Sequence, residues 1–148
     1  MIYKNCSGVL YPTARNLLKR KRFVLASYDC VFHGCTSEET LLHLFWGCSF
    51  AKACWAEICP VQDNILNLFE VLTSIKSGLN VPFAMEIIIL GAWGMWMCRN
   101  NEIFNNKHAS LDEWRAIVSR ELRWVVCRIK KKYYQDLKDW ISNNLDRR

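Results

Sequence analysis

The stretch CVFHGCTSEETLLHLFWGCSFAKACW, residues 30–55, holds four of the eight cysteines of the 148-residue chain and two of its three histidines. Thiolate sulfur and imidazole nitrogen are the donors that tetrahedral structural zinc sites use, at short spacings along the chain. We therefore predict that the fold is organised around this stretch as a Cys/His zinc knot.

Four residues of this stretch are the candidate zinc ligands: Cys30, Cys35, His43 and Cys48. The first pair has the spacing C-x4-C, and the second has H-x4-C. On an unbroken α-helix, residues five apart point about 140° away from each other and could not easily share one ion. A helix end at Gly47 removes this difficulty, because His43 would then leave one helix while Cys48 stands at the turn into the next.

Two alternatives stay open at this point. His33 competes with Cys35 for one ligand position, because Cys30 and His33 have the tighter C-x2-H spacing that is common in zinc knots. The cysteines could also be small buried apolar residues, with His43 as a hydrogen-bonded core histidine. The remaining cysteines are assigned to the core or to incidental positions: Cys6, Cys54, Cys59, Cys98 and Cys127.

Composition indicates one domain that stays in a reducing compartment. The apolar fraction is 51%, and 20 Lys and Arg residues against 14 Asp and Glu residues give a net charge of +6. Residues 1–6 do not resemble a secretory signal, and the apolar run over residues 87–98 is shorter than the roughly 20 residues of a membrane span. We therefore expect a nuclear or cytoplasmic protein with no membrane partner and with free or metal-bound thiols.

Hydrophobic periodicity and capping residues predict a mainly α protein, a small helical bundle around the zinc knot. Two capping boxes, Thr36 with Glu39 and Ser110 with Glu113, mark expected helix starts. After an irregular lead over residues 1–12, the expected helices cover residues 14–22, 37–46, 49–58, 63–76 and 83–104.

A long amphipathic helix is expected to close the chain, from Ser110 to Asn143. Its apolar residues recur at steps of three and four and would form a single stripe. An unbroken helix of this length would span roughly 50 Å, more than a small core can cover. Residues 111–141 are therefore a candidate surface for a partner helix or for self-association. The stripe consists of Trp114, Val118, Leu122, Val125, Ile129, Tyr133, Leu137 and Trp140.

Three motifs resemble those of a known family. They are Y-P-T-A-R-N-L-L-K-R over residues 11–20, the Cys/His run with E-E-T-L-L-H-L-F-W-G-C-S-F-A over residues 38–51, and W-G-M-W-M-C-R-N-N-E-I-F over residues 93–104. Together they resemble the zinc-binding domain that follows the reverse transcriptase in plant non-LTR (LINE-like) retrotransposons. That family usually has C-x2-C where this chain has C-x4-C.

The resemblance covers about residues 11–106 and implies a division of the chain. It places a reverse-transcriptase-type zinc-binding domain at residues 13–60, a helical extension with the W-x-x-W-x-x-R-N motif at residues 61–109, and the long basic helix at residues 110–148. It also implies a detached C-terminal piece of a retroelement polyprotein. The chain lacks a Y-x-D-D-like carboxylate pair for nucleotide transfer, so we do not expect an enzyme.

Basic residues near the two ends of the chain are candidate contacts for RNA or DNA. Positively charged side chains beside aromatic ones suit phosphate contact and base stacking. Solvated helix faces are the alternative explanation for both runs, and a nuclear-import patch is a further one for the first. The candidate residues are Lys19, Arg20, Lys21 and Arg22 in the first run, and Arg128, Lys130, Lys131 and Lys132 in the second.

Overall fold

The fold comes from a computed structural model that describes residues 27, 29–60 and 67–146. Over these residues the protein is mainly helical, as the periodicity predicts, and the described strand-like element is an isolated bridge between Asp29 and Glu38. The expected irregular lead, the helix over residues 14–22 and the start of the helix at residue 63 lie outside the described residues. None of the described helices combines the length and the apolarity that a membrane span needs.

Within the described residues, five α-helices form the bundle. They are α1 (Ser49–Ala56), α2 (Leu68–Leu79), α3 (Ala84–Asn105), α4 (Leu111–Val126) and α5 (Tyr134–Asn144). A π-helical turn (His43–Gly47) precedes α1, and a short 3-10 turn (Lys131–Tyr133) precedes α5.

Local sequence signals explain where several helices begin and end. The Asn67 side chain accepts a hydrogen bond from the backbone N–H of Glu70 at the start of α2, and Ser110 does the same for Glu113 at the start of α4. Asn80 and Asn106 adopt left-handed backbone angles just after α2 and α3. Asparagine tolerates this conformation better than most residues, so both positions suit a helix stop.

Helices α3 and α4 pack against each other as the centre of the bundle. Gly94 lies so close to α4 that an added Cβ would stand 2.8 Å from Val118 Cγ2 and 2.9 Å from Trp114 Cδ1. The indole N–H of Trp114 donates to the backbone oxygen of Gly91 at 2.9 Å. The two glycines therefore permit the close helix approach expected for this apolar segment.

The expected long C-terminal helix is wrong in one respect, since the chain forms two helices with a break over residues 127–133. Lys130 is extended at the break, with φ −57° and ψ 134°. Helix α5 folds back against α4 and buries Leu137, Ile141 and Leu145. Because burying each such side chain is worth about 1.5–3 kcal/mol, packing outweighs the cost of ending α4 early.

Candidate metal centre

Three cysteines and one histidine come together at the N-terminal side of α1. The ligand atoms of Cys30, Cys35, His43 and Cys48 all lie within 4.8 Å of one another. Cys30 Sγ is 3.7 Å from Cys48 Sγ, and Cys35 Sγ is 3.2 Å from His43 Nε2. These four residues are the ligand set predicted from the sequence. In each of the two close pairs, one residue comes from the loop over residues 30–35 and the other from the segment over residues 43–48.

The separations suit a single tetrahedral ion. Bonds of about 2.3 Å to sulfur and about 2.0 Å to nitrogen place two sulfurs about 3.8 Å apart and a sulfur about 3.5 Å from a nitrogen. The sulfur pair matches this geometry closely, and the Cys35–His43 pair lies slightly inside it. Cys30 and Cys48 are buried, while Cys35 and His43 are half-buried. Four protein ligands leave no coordination position open for substrate, which is typical of structural rather than catalytic sites.

The loop between Cys30 and Cys35 accommodates the C-x4-C spacing with a tight turn. The Cys30 N–H donates to the Ser37 oxygen at 2.8 Å, and the Cys35 N–H donates to the Phe32 oxygen at 3.1 Å. Gly34 has φ +79°, a conformation that residues with a Cβ rarely adopt. The turn therefore brings Cys35 back to Cys30 despite the two additional residues.

A π-helical turn brings the other two ligands together. The Cys48 N–H donates to the His43 oxygen at 2.8 Å, an i→i+5 hydrogen bond. Because this wider turn places residue i+5 about one turn beyond residue i, the side chains of His43 and Cys48 lie close enough to bind one ion. Gly47 also makes room, since an added Cβ there would lie 3.3 Å from His43 Nδ1. The sequence predicted a break at Gly47, although not a π turn.

The start of this first helical segment differs from the expectation. Helical structure begins at Leu41 rather than at Ser37, and Thr40 Oγ1 accepts the hydrogen bond from the His43 N–H at 3.0 Å. Thr36 and Glu39 therefore do not form a capping box. The Glu38 backbone instead pairs with Asp29 in an isolated bridge, and residues 36–39 are not helical.

Cys48 occupies an electrostatically favourable position for a thiolate. It is the N-cap residue of α1. The hydrogen bond between the Cys30 and Cys48 sulfurs, and the nearby backbone N–H groups of Phe50 and Ala51, lower the pKa of Cys48 even though burial opposes this. The same shared hydrogen bond, with burial, raises the pKa of Cys30. The local field thus favours negative sulfur at this end of α1, as metal coordination requires.

The structure distinguishes between Cys35 and His33. Cys35 belongs to the four-residue group, whereas His33 is exposed and outside it. Cys54, Cys59 and Cys98 are buried and Cys127 is exposed, which agrees with core or incidental positions, and Cys6 lies outside the described residues. Burial raises the pKa of Cys54 and raises that of Cys98 to about 12.

A buried ion pair supports the site and was missed by the sequence reading. Arg99 of α3 donates from Nε and Nη2 to the Glu39 carboxylate at 2.7 to 3.1 Å, and both side chains are fully buried. Glu39 was expected to be a helix-start residue, and its pairing with Arg99 was not predicted. The sequence did contain a signal for this pair, a single basic residue within the most apolar helix. A charge buried in such a helix needs an oppositely charged partner.

The candidate nucleic-acid residues are only partly described. Lys19, Arg20, Lys21 and Arg22 lie outside the described residues. The second run, comprising Arg128, Lys130, Lys131 and Lys132, is exposed on the connection between α4 and α5 rather than on a helix face. None of these four cations forms an ion pair with another described residue.

The fold and the site together define a small helical protein with a Cys3His group that could hold a metal ion. No protein-family model, no curated protein and no solved structure matches this chain.

Proposed function

We propose that the protein is a non-catalytic module stabilised by one zinc ion bound to Cys30, Cys35, His43 and Cys48. The observation that carries this proposal is the convergence of four ligand atoms within 4.8 Å. Three thiolates and one imidazole favour zinc over hard cations such as magnesium or calcium, which prefer oxygen ligands. A structural zinc ion contributes on the order of 10 kcal/mol to folding, comparable to the whole stability of a small domain.

Metal analysis of the purified full-length chain tests this function. We expect one zinc per chain, and we expect Cys48→Ala and His43→Ala to lose most of it. Cys127→Ala is the matched control, because that cysteine is exposed and outside the group. A parent chain without zinc, or an equal loss of zinc from the Cys127→Ala control, would contradict the proposal.

Cobalt substitution provides a second measurement on the same chain. Tetrahedral cobalt with three thiolate ligands gives strong absorption from thiolate-to-metal charge transfer. We expect this absorption in the parent chain and a weaker, altered spectrum in Cys35→Ala. His33→Ala should leave the spectrum unchanged, since His33 lies outside the group. An altered spectrum in His33→Ala together with an unchanged one in Cys35→Ala would reverse the ligand assignment.

We further propose that the module derives from the zinc-binding domain of a plant LINE-like reverse transcriptase and binds nucleic acid through its basic residues. Two motifs of that resemblance meet in one contact, since Glu39 belongs to the E-E-T-L motif and Arg99 to the W-x-x-W-x-x-R-N motif. The exposed cations of the second basic run, which form no ion pair with other described residues, also support it. Binding to RNA or DNA should weaken steeply with added salt, because phosphate contacts release counterions. Absence of binding at low salt would contradict this part alone and would leave the zinc proposal standing.

Protein interaction is the second candidate function. It rests on exposed apolar side chains one turn apart on α3, Met85 at 42% exposure and Ile89 at 55%. Helix α5 folds back against α4, so part of the expected docking surface over residues 111–141 is buried within the protein. Light scattering of the purified chain distinguishes the candidates. A monomer at tens of micromolar argues against self-association through either surface.

A further inference from the structure

The end of α4 and the connection to α5 form a surface that is both basic and aromatic. Residues 122–135 contain five basic residues and no acidic one. We define the basic–aromatic surface by six exposed residues of this segment: Trp124, Arg128, Lys130, Lys131, Lys132 and Tyr134.

Trp124 is the least expected member of this surface. Its side chain is 66% exposed, whereas Trp46, Trp55 and Trp114 are buried. Among the residues that the structure describes, no aromatic ring or cation stacks on the Trp124 indole. Single exposed aromatic residues are common, so exposure alone does not indicate a ligand. Trp124, however, lies four residues before Arg128 in a segment without acidic residues, where the face of its indole suits a stacked base.

The cations of this surface form no ion pair with another described residue, unlike several arginines elsewhere in the bundle. Arg99, Arg115 and Arg123 form ion pairs with Glu39, Glu57 and Asp146, respectively. Arg128 and the three lysines have no such described partner. Lys132 Nζ lies 4.6 Å from the centre of the Tyr133 ring, and Lys138 Nζ lies 4.1 Å from that of Tyr134. Charge and aromatic faces are therefore interleaved here, which complements a polyanion that carries flat bases.

We propose that this surface binds single-stranded nucleic acid, with a base stacked on Trp124 and the adjoining phosphates on Arg128, Lys130, Lys131 and Lys132. A single strand is favoured over a duplex, because only an unpaired base can leave its neighbours and offer a free face to the indole. The inference rests on the proposed nucleic-acid function and specifies its site and ligand.

Fluorescence anisotropy with a labelled oligouridylate of about 12 nucleotides tests this site, at several salt concentrations. Trp124→Ala should weaken binding about tenfold or more and leave the salt dependence unchanged, because stacking releases no counterions. The combined variant Lys130→Ala/Lys131→Ala/Lys132→Ala should weaken binding and also flatten the salt dependence. The matched control is Phe104→Ala, whose side chain is 68% exposed on α3. The control should bind as the parent does, since α3 and α4 are antiparallel and Phe104 lies at the opposite end of the pair.

The outcomes separate this inference from the function on which it rests. If the parent chain binds no oligonucleotide, both fail. If the lysine variant loses binding while Trp124→Ala does not, nucleic-acid binding stands and the Trp124 site is overturned. A parent chain that prefers duplex RNA or DNA of equal length would also overturn the site. The same holds if Trp124→Ala abolishes self-association in light scattering without changing oligonucleotide binding, because the indole would then cover a protein surface.

Discussion

At the residue scale, burial separates the thiols into reactive and unreactive classes. Burial raises the Cys98 pKa to about 12, so this thiol stays protonated at neutral and mildly alkaline pH, and thiols react as thiolates. At about pH 8 we expect a maleimide to label exposed Cys127 rapidly and to label Cys54 and Cys98 only after unfolding. Peptide mapping by mass spectrometry measures this directly. Rapid labelling of Cys98 in the folded chain would contradict the described core.

The Glu39–Arg99 pair gives a second prediction at this scale. Glu39→Gln leaves the Arg99 charge buried without its counter-charge, and breaking such a pair costs about 3–5 kcal/mol. Denaturant unfolding of the zinc-loaded chain measures the loss. Glu57→Gln is the matched control, because its pair with Arg115 is partly exposed and is worth at most about 1 kcal/mol. An equal loss of free energy of unfolding in Glu39→Gln and Glu57→Gln would contradict this prediction.

Candidate metal ligands could be predicted from the sequence where few residues have suitable donor atoms at a suitable spacing. Cys30, His43 and Cys48 could be chosen from ligand type and spacing alone. The choice between Cys35 and His33 depended on the path of a six-residue loop, to which Gly34 contributes through its positive φ. Glu39 and Arg99 lie 60 positions apart, and local patterns carry no information about such long-range pairs.

At the element scale, the close contact between α3 and α4 explains why Gly94 lies within a helix. Alanine there would improve helix propensity by about 1 kcal/mol, but its Cβ would clash with Trp114 and Val118. Overpacking of this kind costs about 1–3 kcal/mol, so we expect Gly94→Ala to lower the free energy of unfolding. Gly78→Ala is the matched control in α2, where an added Cβ would lie 3.5 Å from Cys59 Cβ, an ordinary contact. The control should be neutral or stabilising, and a stabilising Gly94→Ala would contradict the packing.

The break between α4 and α5 gives a further prediction at this scale. Lys131 begins the 3-10 turn, and Lys130 before it has the extended backbone that a following proline requires. We therefore expect Lys131→Pro to change the stability by less than about 1 kcal/mol. In a continuous helix the same change would cost about 3 kcal/mol or more, as Arg120→Pro should within α4. Thermal unfolding of the two variants distinguishes the broken helix from the continuous one.

This break also shows what periodicity can and cannot predict. The apolar stripe was recognised, and Trp114, Val118, Leu122 and Leu137 are buried as it indicates. A periodic pattern along the chain does not predict that α5 folds back and packs against α4. That return depends on the burial of Ile141 and Leu145 and on the hydrogen bond from Ser119 to Asp146 at 2.8 Å.

At the scale of the whole molecule, the metal centre and the bundle are joined by a few specific contacts. Trp55 of α1 packs against Gly91, and its indole N–H donates to the Phe45 oxygen at 2.7 Å. Glu39 is connected to α3 by its ion pair with Arg99. Because these contacts are made by residues 39–55, which include two of the four ligands, loosening the metal centre should disturb α3 before α5.

Removal of the metal should therefore unfold the molecule in a defined order. Hydrogen exchange with excess EDTA should show loss of protection first over residues 30–59, then in the part of α3 around Arg99, and last in α4 and α5. The reason is that the proposed zinc ion would supply folding free energy only where its ligands lie, and the Glu39–Arg99 pair would transmit its loss to α3. EDTA preloaded with zinc is the control and should change nothing. Early loss of protection in α4 and α5, with residues 30–59 still protected, would show that the metal centre does not organise the fold.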